Sequence, residues 1–262
     1  MRRYKALIEY DGTAYFGFQR QRQEHSTIQG ELENALNNLA QQPITILGAG
    51  RTDSGVHAIG QTISFDLDWQ HDLKALQRAI NANLPADIVV LQLNQVSSTF
   101  HPRFDARSRA YTYRIYNGPV RKPIRRLYSW HVRQPLDVGK MNQAAQQLLG
   151  RHDFATFGQP PQGENTEREV FLARWRRDDE FVLFDIEANA FLYRMVRSLV
   201  GSLKLVGDGA WTVEDFGRAF RSCKRSLSGM VAPPQGLCLV SVTYEDLVVG
   251  GLQPATGWEN TV

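Results

Sequence analysis

The sequence lacks what several common classes of protein require. Its 262 residues include only two cysteines, Cys223 and Cys238, which are too few for a disulfide framework and do not form a metal-type pair. No apolar run approaches the roughly 18 residues needed to cross a bilayer. The basic start is followed too soon by the charged Glu9 for a secretion signal. These absences predict a cytoplasmic protein with free thiols and no membrane association.

Motifs for nucleotide cofactors and metals are also absent. The chain has no P-loop, no dinucleotide-binding fingerprint and no metal-type spacing of Cys and His. The pair Gly48-x-Gly50 ends a strand-like run but opens no helix, so it does not predict a phosphate loop. We therefore expect neither a nucleotide cofactor nor a metal.

Lysine is scarce, whereas arginine is abundant. Six of the thirty basic residues are lysines and twenty-four are arginines, although the net charge is only +3. Genome composition or thermal adaptation explains this total equally well, but the clustering is more informative. Arginine pairs with phosphate and tyrosine stacks on bases, so a mixture of the two favours looped or single-stranded nucleic acid as a partner. The clustered residues are Arg103, Arg107, Arg109, Arg114, Arg121, Lys122, Arg125 and Arg126, interleaved with Tyr111, Tyr113, Tyr116 and Tyr128.

Hydrophobic periodicity in the first hundred residues predicts the order β-α-β-β-α-β, which is ferredoxin-like. The predicted elements are a strand at Tyr4–Tyr10, a helix at Thr27–Gln41, strands at Ile44–Ala49 and Gln61–Leu67, a helix at Asp72–Asn81 and a strand at Ile88–Val96.

The rest of the chain predicts a similar order. Its elements are a strand at Ala106–Tyr116, a linker at Pro119–Arg126, a helix at Asp137–Leu149, strands at Glu167–Arg176 and Phe181–Ala188, helices at Phe191–Val206 and Thr212–Arg221, and a strand at Leu237–Asp246. We therefore predict an α+β fold of two ferredoxin-like halves with mainly antiparallel sheets and a central active-site cleft. The predicted domains are 1–100 and 101–247, and 248–262 is predicted to be a loose tail.

Reactive side chains are concentrated in the stretch Gly50-Arg51-Thr52-Asp53-Ser54-Gly55-Val56-His57. It lies between two strand-like runs, so a rigid scaffold can hold it while leaving it accessible. An aspartate in this position can be a nucleophile or a general base. Taken alone, such an aspartate is more often a turn residue whose carboxylate caps its own backbone. The rest of the chain favours the catalytic interpretation.

Four segments, taken in order, identify the chain as similar to the tRNA pseudouridine synthase A family. They are 50–57, Arg109-Ala110-Tyr111-Thr112-Tyr113-Arg114, Phe191-Leu192-Tyr193-Arg194-Met195-Val196-Arg197-Ser198-Leu199-Val200-Gly201, and Ala232-Pro233-Pro234-Gln235-Gly236-Leu237. The resemblance extends from about residue 3 to 246. It departs from the family at Phe18, where Trp is usual, and at Ser54, where Ala is common. Both substitutions keep the size class of the side chain.

The resemblance implies that uridine is isomerised to pseudouridine at positions 38, 39 and 40 of the tRNA anticodon stem-loop. The N1–C1′ glycosidic bond breaks, the uracil turns over, and C5 joins C1′. This chemistry requires neither metal nor cofactor. A target inside a stem must leave its stack, and several neighbouring targets favour recognition of shape and backbone. The resemblance also implies a homodimer that shares one tRNA between its subunits.

Family position implies a role for each candidate residue. Asp53 is the catalytic carboxylate, either attacking C1′ or acting as a base that yields a glycal intermediate. Arg197 is the cation that keeps it ionised in a pocket. Tyr111 stacks on the flipped base and assists the C5 proton, while Leu237 packs on the other face of the uracil. The remaining substrate-binding residues are Arg51, which fills the vacated stem gap or binds phosphate, His57, which orients the loop, and Arg109 in the basic strand.

Two other functions compete with this interpretation. A non-catalytic RNA-binding module would use the same basic, aromatic strand, but it would gain nothing from a carboxylate facing phosphates. A nucleosidase acting on free nucleosides would use an acidic nucleophile, but it would not need clustered arginines. Asp53 and the arginine clusters together therefore favour an enzyme that acts on RNA.

Overall fold

A computed structural model describes residues 1–21, 25–160 and 163–245 of the chain. Contacts divide the chain into two units. The first is Met1–Arg107 together with the last strand from Leu239 onward, and the second is Ser108–Cys238. This division differs from the expected one in two ways. The boundary lies at Arg107 rather than at residue 100, and the last strand groups with the first unit.

The first unit contains two helices beside a sheet of antiparallel pairs. Strand order is β4-β1-β3-β10, and β2 pairs with β3. The elements are β1 (Arg2–Tyr10), α1 (Ile28–Ala40), β2 (Leu47–Gly48), β3 (His57–Leu67), α2 (Leu73–Ala82), β4 (Ile88–Val96) and β10 (Leu237–Tyr244), of which the part from Leu239 belongs to this unit.

Capping and burial explain why α1 forms where the sequence predicts it. The Thr27 side chain accepts a hydrogen bond from the Gly30 N–H, which satisfies one of the unpaired amides of the first turn. Gln41 ends the helix in the left-handed conformation, with φ of 53°. Ile28 and Leu32 are buried on the inner face. The helix prediction is confirmed, and β4 is confirmed at its predicted bounds.

The strand predicted at Ile44–Ala49 is wrong for most of its length, because only Leu47–Gly48 pairs. Side chains of α1 take the backbone amides that a neighbouring strand would otherwise bind. Asn37 Oδ1 accepts from the Ile44 N–H at 2.6 Å, and Glu33 Oε1 accepts from the Ile46 N–H at 3.2 Å. The following strand is longer than predicted, since β3 begins at His57.

The second unit is also mixed, with strand order β5-β9-β8-β7. The β5–β9, β8–β9 and β7–β8 pairs are antiparallel, and the short β6 pairs parallel with β5. The elements are β5 (Ala106–Tyr116), β6 (Trp130–His131), α3 (Val138–Ala145), β7 (Gly150–Asp153), β8 (Glu167–Asp178), β9 (Phe181–Ala188), α4 (Met195–Gly207) and α5 (Val213–Arg221). Strands β5 and β9 have their predicted bounds, whereas β6 and β7 were not predicted.

Two helix predictions in this unit need correction. The helix predicted to reach Leu149 ends as α3 at Ala145, passes through a 3₁₀ turn at Gln146–Leu148, and gives way to β7. Leu149 is already extended, with φ of −67° and ψ of 139°, and Gly150 follows with φ of +91°, a conformation that suits glycine. The helix predicted from Phe191 begins only at Met195, because Arg194 has φ of 61°.

The core of the second unit is rich in aromatic rings. Trp175 and Phe184 stack across β8 and β9 with centroids 4.7 Å apart. A second group packs α5 against the segment after β7, and comprises Phe154, Phe157, Phe216 and Phe220. The chain therefore has a mixed α+β fold with mostly antiparallel strands. The predicted end of the last strand at Asp246 and the predicted tail 248–262 lie outside the described residues.

Candidate active site

The Asp53 loop, residues 50–56, joins β2 to β3 in the first unit. Its start is tied to β3, because the Ala49 N–H donates to the Thr62 carbonyl at 2.9 Å and Gln61 Nε2 donates to the Gly50 carbonyl at 3.0 Å. Its end closes in a turn, in which the Val56 N–H donates to the Asp53 carbonyl at 3.1 Å. The loop is therefore fixed by its own backbone at both ends.

A second segment, residues 15–18, braces the loop from outside. The Phe18 N–H donates to the Thr52 carbonyl at 3.0 Å, and the Gly55 N–H donates to the Tyr15 carbonyl at 3.3 Å. The Ser54 hydroxyl donates to the same Tyr15 carbonyl at 3.1 Å. The Asp53 side chain is half-buried, so a braced backbone presents a partly exposed carboxylate.

The loop rests on a buried aromatic floor. Thr52 Oγ1 and the Tyr10 hydroxyl share a buried hydrogen bond of 2.8 Å. The Phe18 ring lies 6.4 Å from the Tyr10 ring, centroid to centroid. A Cβ on Gly48 would come within 2.6 Å of the Phe18 ring, so only glycine allows this approach. Phe18 thus fills an interior position.

His57 is buried at the end of the loop, with 1% of its surface exposed. Its Nδ1 lies 3.1 Å from the Gly12 backbone nitrogen and 3.1 Å from Asp11 Oδ1. In the neutral tautomer protonated at Nε2, Nδ1 accepts from the Gly12 N–H; when protonated, Nδ1 donates to Asp11. Either way the ring ties β3 to the chain after β1. Arg51, by contrast, is exposed.

Tyr111 lies on β5 in the second unit, half-buried and opposite Ile186 of β9. The Phe191 ring meets it edge to face, with centroids 5.1 Å apart. Tyr113, two residues on, is fully buried and donates its hydroxyl proton to the Pro233 carbonyl at 2.7 Å. Burial raises the pKa of Tyr113 well above its usual value. The two tyrosines therefore differ in exposure, with Tyr113 fully buried and Tyr111 half-buried.

Arg197 occupies the first turn of α4 and is half-buried. Its Nε donates to the Ala232 carbonyl at 2.7 Å, and the Ala232 N–H donates to the Arg197 carbonyl at 3.0 Å. This reciprocal pair fixes the segment that leads to Leu237, which is itself buried. Gly236 is required on the way, since a Cβ there would lie 2.6 Å from the Tyr113 ring.

Arg109 has a structural contact of its own. It is only 8% exposed, and its Nη1 donates to the Asn189 carbonyl at 2.8 Å. The structure thus groups the candidate residues by unit. Asp53, Arg51 and His57 share one loop of the first unit, and Tyr111, Arg109, Arg197 and Leu237 belong to the second.

The basic linker 119–126 is partly neutralised within its own unit. Glu180 pairs with Lys122 and, at 2.9 Å, with Arg125. The Tyr116 hydroxyl donates to the same carboxylate at 3.1 Å. The Lys122 ammonium, donating to it, holds the pKa of Glu180 below its usual value. Of the four cations in this linker, Lys122 and Arg125 are therefore already paired within the protein.

Sequence reasoning missed Glu33, which connects the segments around the loop. This carboxylate is 2% exposed, pairs with Arg20 at 2.8 Å, and accepts from Gln29 Nε2 at 2.8 Å. Gln29 in turn accepts from the Arg20 N–H at 3.0 Å. One signal was available: Glu33 is a charged residue beside the apolar face of α1, where charge is rare unless paired.

The described residues contain neither a metal-binding cluster nor a helix that could span a membrane. Within the described ranges, no three His, Cys, Asp or Glu side chains come together in a way that would hold a metal ion. None of the helices within those ranges combines the length and the apolar character needed to span a bilayer.

The family model and the curated relatives that match this sequence agree with each other. The family model described as tRNA pseudouridine synthase matches residues 6–105 and 144–245. The tRNA pseudouridine synthase A of Aeromonas hydrophila is 45% identical, covering 90% of this chain and 88% of its own length. That of Limosilactobacillus fermentum is 41% identical, covering 94% and 97%. Among solved structures, the archaeal box H/ACA sRNP Nop10-Cbf5 complex covers 92% of this chain and 50% of its own at 12% identity, and its TM-score of 0.38 is too low to support an argument. The family match and the identities show that this chain belongs to the tRNA pseudouridine synthase family.

Proposed function

We propose that this chain converts uridine to pseudouridine at positions 38, 39 and 40 of the tRNA anticodon stem-loop, with Asp53 as the catalytic carboxylate. Family membership supports the reaction class, an isomerase that acts on uridine in tRNA. The observation that carries the residue assignment is the braced Asp53 loop. It holds a half-buried carboxylate between the exposed Arg51 and the buried His57, so Asp53 is the acid there with both fixed geometry and access.

The chemistry needs one ionised carboxylate. As a nucleophile, Asp53 forms a bond to C1′ while the N1–C1′ bond breaks and the uracil leaves as an anion. As a base, it removes a ribose proton and the same bond breaks to give a glycal. In both routes the uracil then rotates. In the first, C5 attacks C1′ and the bond from C1′ to the Asp53 carboxylate breaks; in the second, C5 bonds to C1′ of the glycal and Asp53 returns the proton to the ribose. C5 then loses its proton and N1 takes one up. A carboxylate held in fixed geometry serves either route.

The other candidate residues are proposed to serve the same uridine. Arg197 is the cation that stabilises the ionised Asp53. Tyr111 stacks on the flipped base, and Leu237 contacts its other face. Arg51 fills the stem gap or binds phosphate. His57 and Arg109 have positioning roles. His57 orients the loop through Gly12 and Asp11, and Arg109 supports the basic strand beside the RNA.

We further propose that each unit is a ferredoxin-like half. The order β4-β1-β3 with β2 on β3 supports this for the first, as does β5-β9-β8 for the second. We also propose a cytoplasmic homodimer that shares one tRNA. Light scattering tests the assembly, since a monomer at working concentration would contradict it.

The proposed reaction is tested with uridine-labelled tRNA transcript and no cofactor. The wild type should form pseudouridine, and Asp53→Asn should not, because the amide neither attacks nor accepts a proton. Asp68→Asn, at an exposed acid on the same unit, is the matched control and should keep full activity. Binding of tRNA by Asp53→Asn should persist, since the lost charge would only repel phosphates. Wild-type single turnover by Asp53→Asn would exclude the carboxylate from catalysis.

A further inference from the structure

Two arginines meet at the start of α4 in the second unit. Arg194 is the residue that precedes the helix, and Arg225 comes from the 3₁₀ turn at Arg225–Leu227. Neither is among the residues assigned to the reacting uridine. Both are cations, and their surroundings indicate what they bind.

Arg225 is held in place by neutral partners. Its Nη1 donates to the Thr156 carbonyl at 3.1 Å, and its Nη2 donates to the Ser198 hydroxyl at 3.1 Å. Ser198 lies on α4, and its N–H donates to the Arg194 carbonyl at 3.0 Å. Partial burial lowers the pKa of Arg225, and the like charge of Arg194 lowers it further. Ser198 thus connects the two arginines, because its hydroxyl accepts from Arg225 and its N–H donates to the Arg194 carbonyl.

Arg194 has an unfavourable backbone conformation for its residue type. Its φ of 61° is in the left-handed region, which Gly and Asn adopt more easily than a long side chain. The adjacent chain enforces this conformation, because the Tyr193 N–H donates to the Gln159 carbonyl at 2.9 Å. The Arg194 guanidinium lies 4.8 Å from the centroid of the Tyr193 ring, which is itself 51% exposed. An arginine here is disfavoured for folding, which points to a use for its charge.

Other arginines of this unit are paired with carboxylates. Arg151 pairs with Glu167 at 2.7 Å, and Arg176 pairs with Asp185 at 2.9 Å. In the parts of the chain that the structure describes, no carboxylate pairs with Arg194 or Arg225. Two repelling cations become favourable when an anion binds both, and the N-terminus of α4 adds a positive potential.

We propose that Arg194 and Arg225, with the exposed ring of Tyr193, bind a backbone phosphate of the tRNA. Guanidinium groups match phosphate oxygens in a fork geometry, and an adjacent aromatic ring suits a neighbouring base or ribose. The site reads backbone position rather than sequence. This inference rests on the proposed action on tRNA, which supplies the phosphate.

The decisive variant is Arg194→Asn. Asparagine removes the charge but tolerates the left-handed conformation, so the melting temperature should stay constant or rise. The dissociation constant for tRNA transcript should increase about tenfold, the effect of losing one charged hydrogen bond. The slope of log affinity against log salt should flatten by roughly 0.7–0.9. In turnover assays the loss should appear in KM.

Arg151→Gln is the matched control, because Arg151 is an exposed arginine of the same unit whose charge is already paired. It should leave the salt slope unchanged. Arg225→Gln should also weaken binding, but it loses two hydrogen bonds and should lower the melting temperature as well. Equal affinity and salt slope in Arg194→Asn and wild type would overturn the proposal, and so would an equal loss in Arg151→Gln. A wild type that forms no pseudouridine in tRNA would instead overturn the proposed function.

Discussion

Gly17 lies directly against the backbone of Asp53. A Cβ at Gly17 would come within 2.9 Å of the Thr52 carbonyl oxygen and 3.3 Å of the Asp53 carbonyl carbon. The φ of Gly17 is +90°, a conformation that side chains rarely adopt. The position of the Asp53 backbone thus depends on a glycine that is distant in sequence.

Gly17→Ala should therefore lower both stability and rate. The left-handed conformation alone costs an alanine about 1–2 kcal/mol. The contact with the Thr52 carbonyl additionally displaces the Asp53 loop, and a shift of about 1 Å can cost about 100-fold in rate. Chemical denaturation and single-turnover pseudouridine formation measure the two effects.

Gly209→Ala separates these causes. Gly209 has φ of +79°, and a Cβ there meets nothing within 4 Å. This variant should lose similar stability but keep the wild-type rate. A Gly17→Ala enzyme that is destabilised but fully active would show that the contact does not position Asp53.

Arg197→Met should slow single turnover by about 100-fold or more, the usual cost of removing one preorganised charged donor. Arg197→Lys should recover only part of the rate, because an ammonium lacks the planar fork. Both variants lose the hydrogen bond that Arg197 Nε donates to the Ala232 carbonyl. Their free energies of unfolding should therefore be measured together with the rate. An equal rate in Lys and Met variants would deny the role of the charge.

Removal of the hydroxyl should lower stability at Tyr113, whereas at Tyr111 it should affect the reaction rate. Tyr113→Phe removes the hydrogen bond from the buried Tyr113 hydroxyl to the Pro233 carbonyl and should destabilise the protein by about 0.5–1.5 kcal/mol. Tyr111→Phe keeps the half-buried ring and should lose less rate than Tyr111→Ala, because stacking is worth about 1–3 kcal/mol per base. Equally severe rate losses in Phe and Ala at 111 would instead assign the hydroxyl to proton transfer.

Local signals were sufficient for much of the fold. Helices α1 and α2 begin one residue after their predicted starts at Thr27 and Asp72, which cap them, and β5 and β9 have their predicted bounds. The failures occur where distant contacts override local pattern. Side chains of α1 take the amides of the predicted strand at 44–46, and the Gln159 carbonyl holds the chain before Met195 out of the helix.

The candidate site shows the same limit. Asp53 was identifiable because its loop is a contiguous motif. The braces from Gly17 and Tyr15 are separated from it by more than thirty positions and leave no local signature. Glu33 was missed because a paired buried charge looks, in sequence, like an ordinary polar position of α1.

In the Arg20–Glu33 pair, loss of the arginine alone should destabilise the protein more than loss of both charges. Arg20 is 62% exposed and Glu33 only 2%. Arg20→Gln leaves a buried carboxylate without its cation and should cost about 3–5 kcal/mol. The double variant with Glu33→Gln removes the charge as well and should be less destabilised than Arg20→Gln. Denaturant unfolding of the four proteins measures the coupling, and additive losses would contradict it.

The basic linker should divide into two functional pairs. Lys122 and Arg125 pair with Glu180, whereas Arg121 and Arg126 are exposed and pair with no carboxylate in the described ranges. Cations that already have a carboxylate partner gain less from a phosphate. Only the second pair should therefore contribute strongly to tRNA affinity.

Replacing Arg121 and Arg126 with Gln should weaken tRNA binding and flatten its salt dependence by roughly 0.7–0.9 per lost phosphate contact. Replacing Lys122 and Arg125 removes the same charge, yet frees Glu180 and should act mainly on the stability of the linker. Titration of labelled tRNA over a range of salt concentrations compares the pairs at equal net charge. If both double variants change the slope equally, the linker acts through its net charge alone, and if neither does, the linker does not contact phosphate.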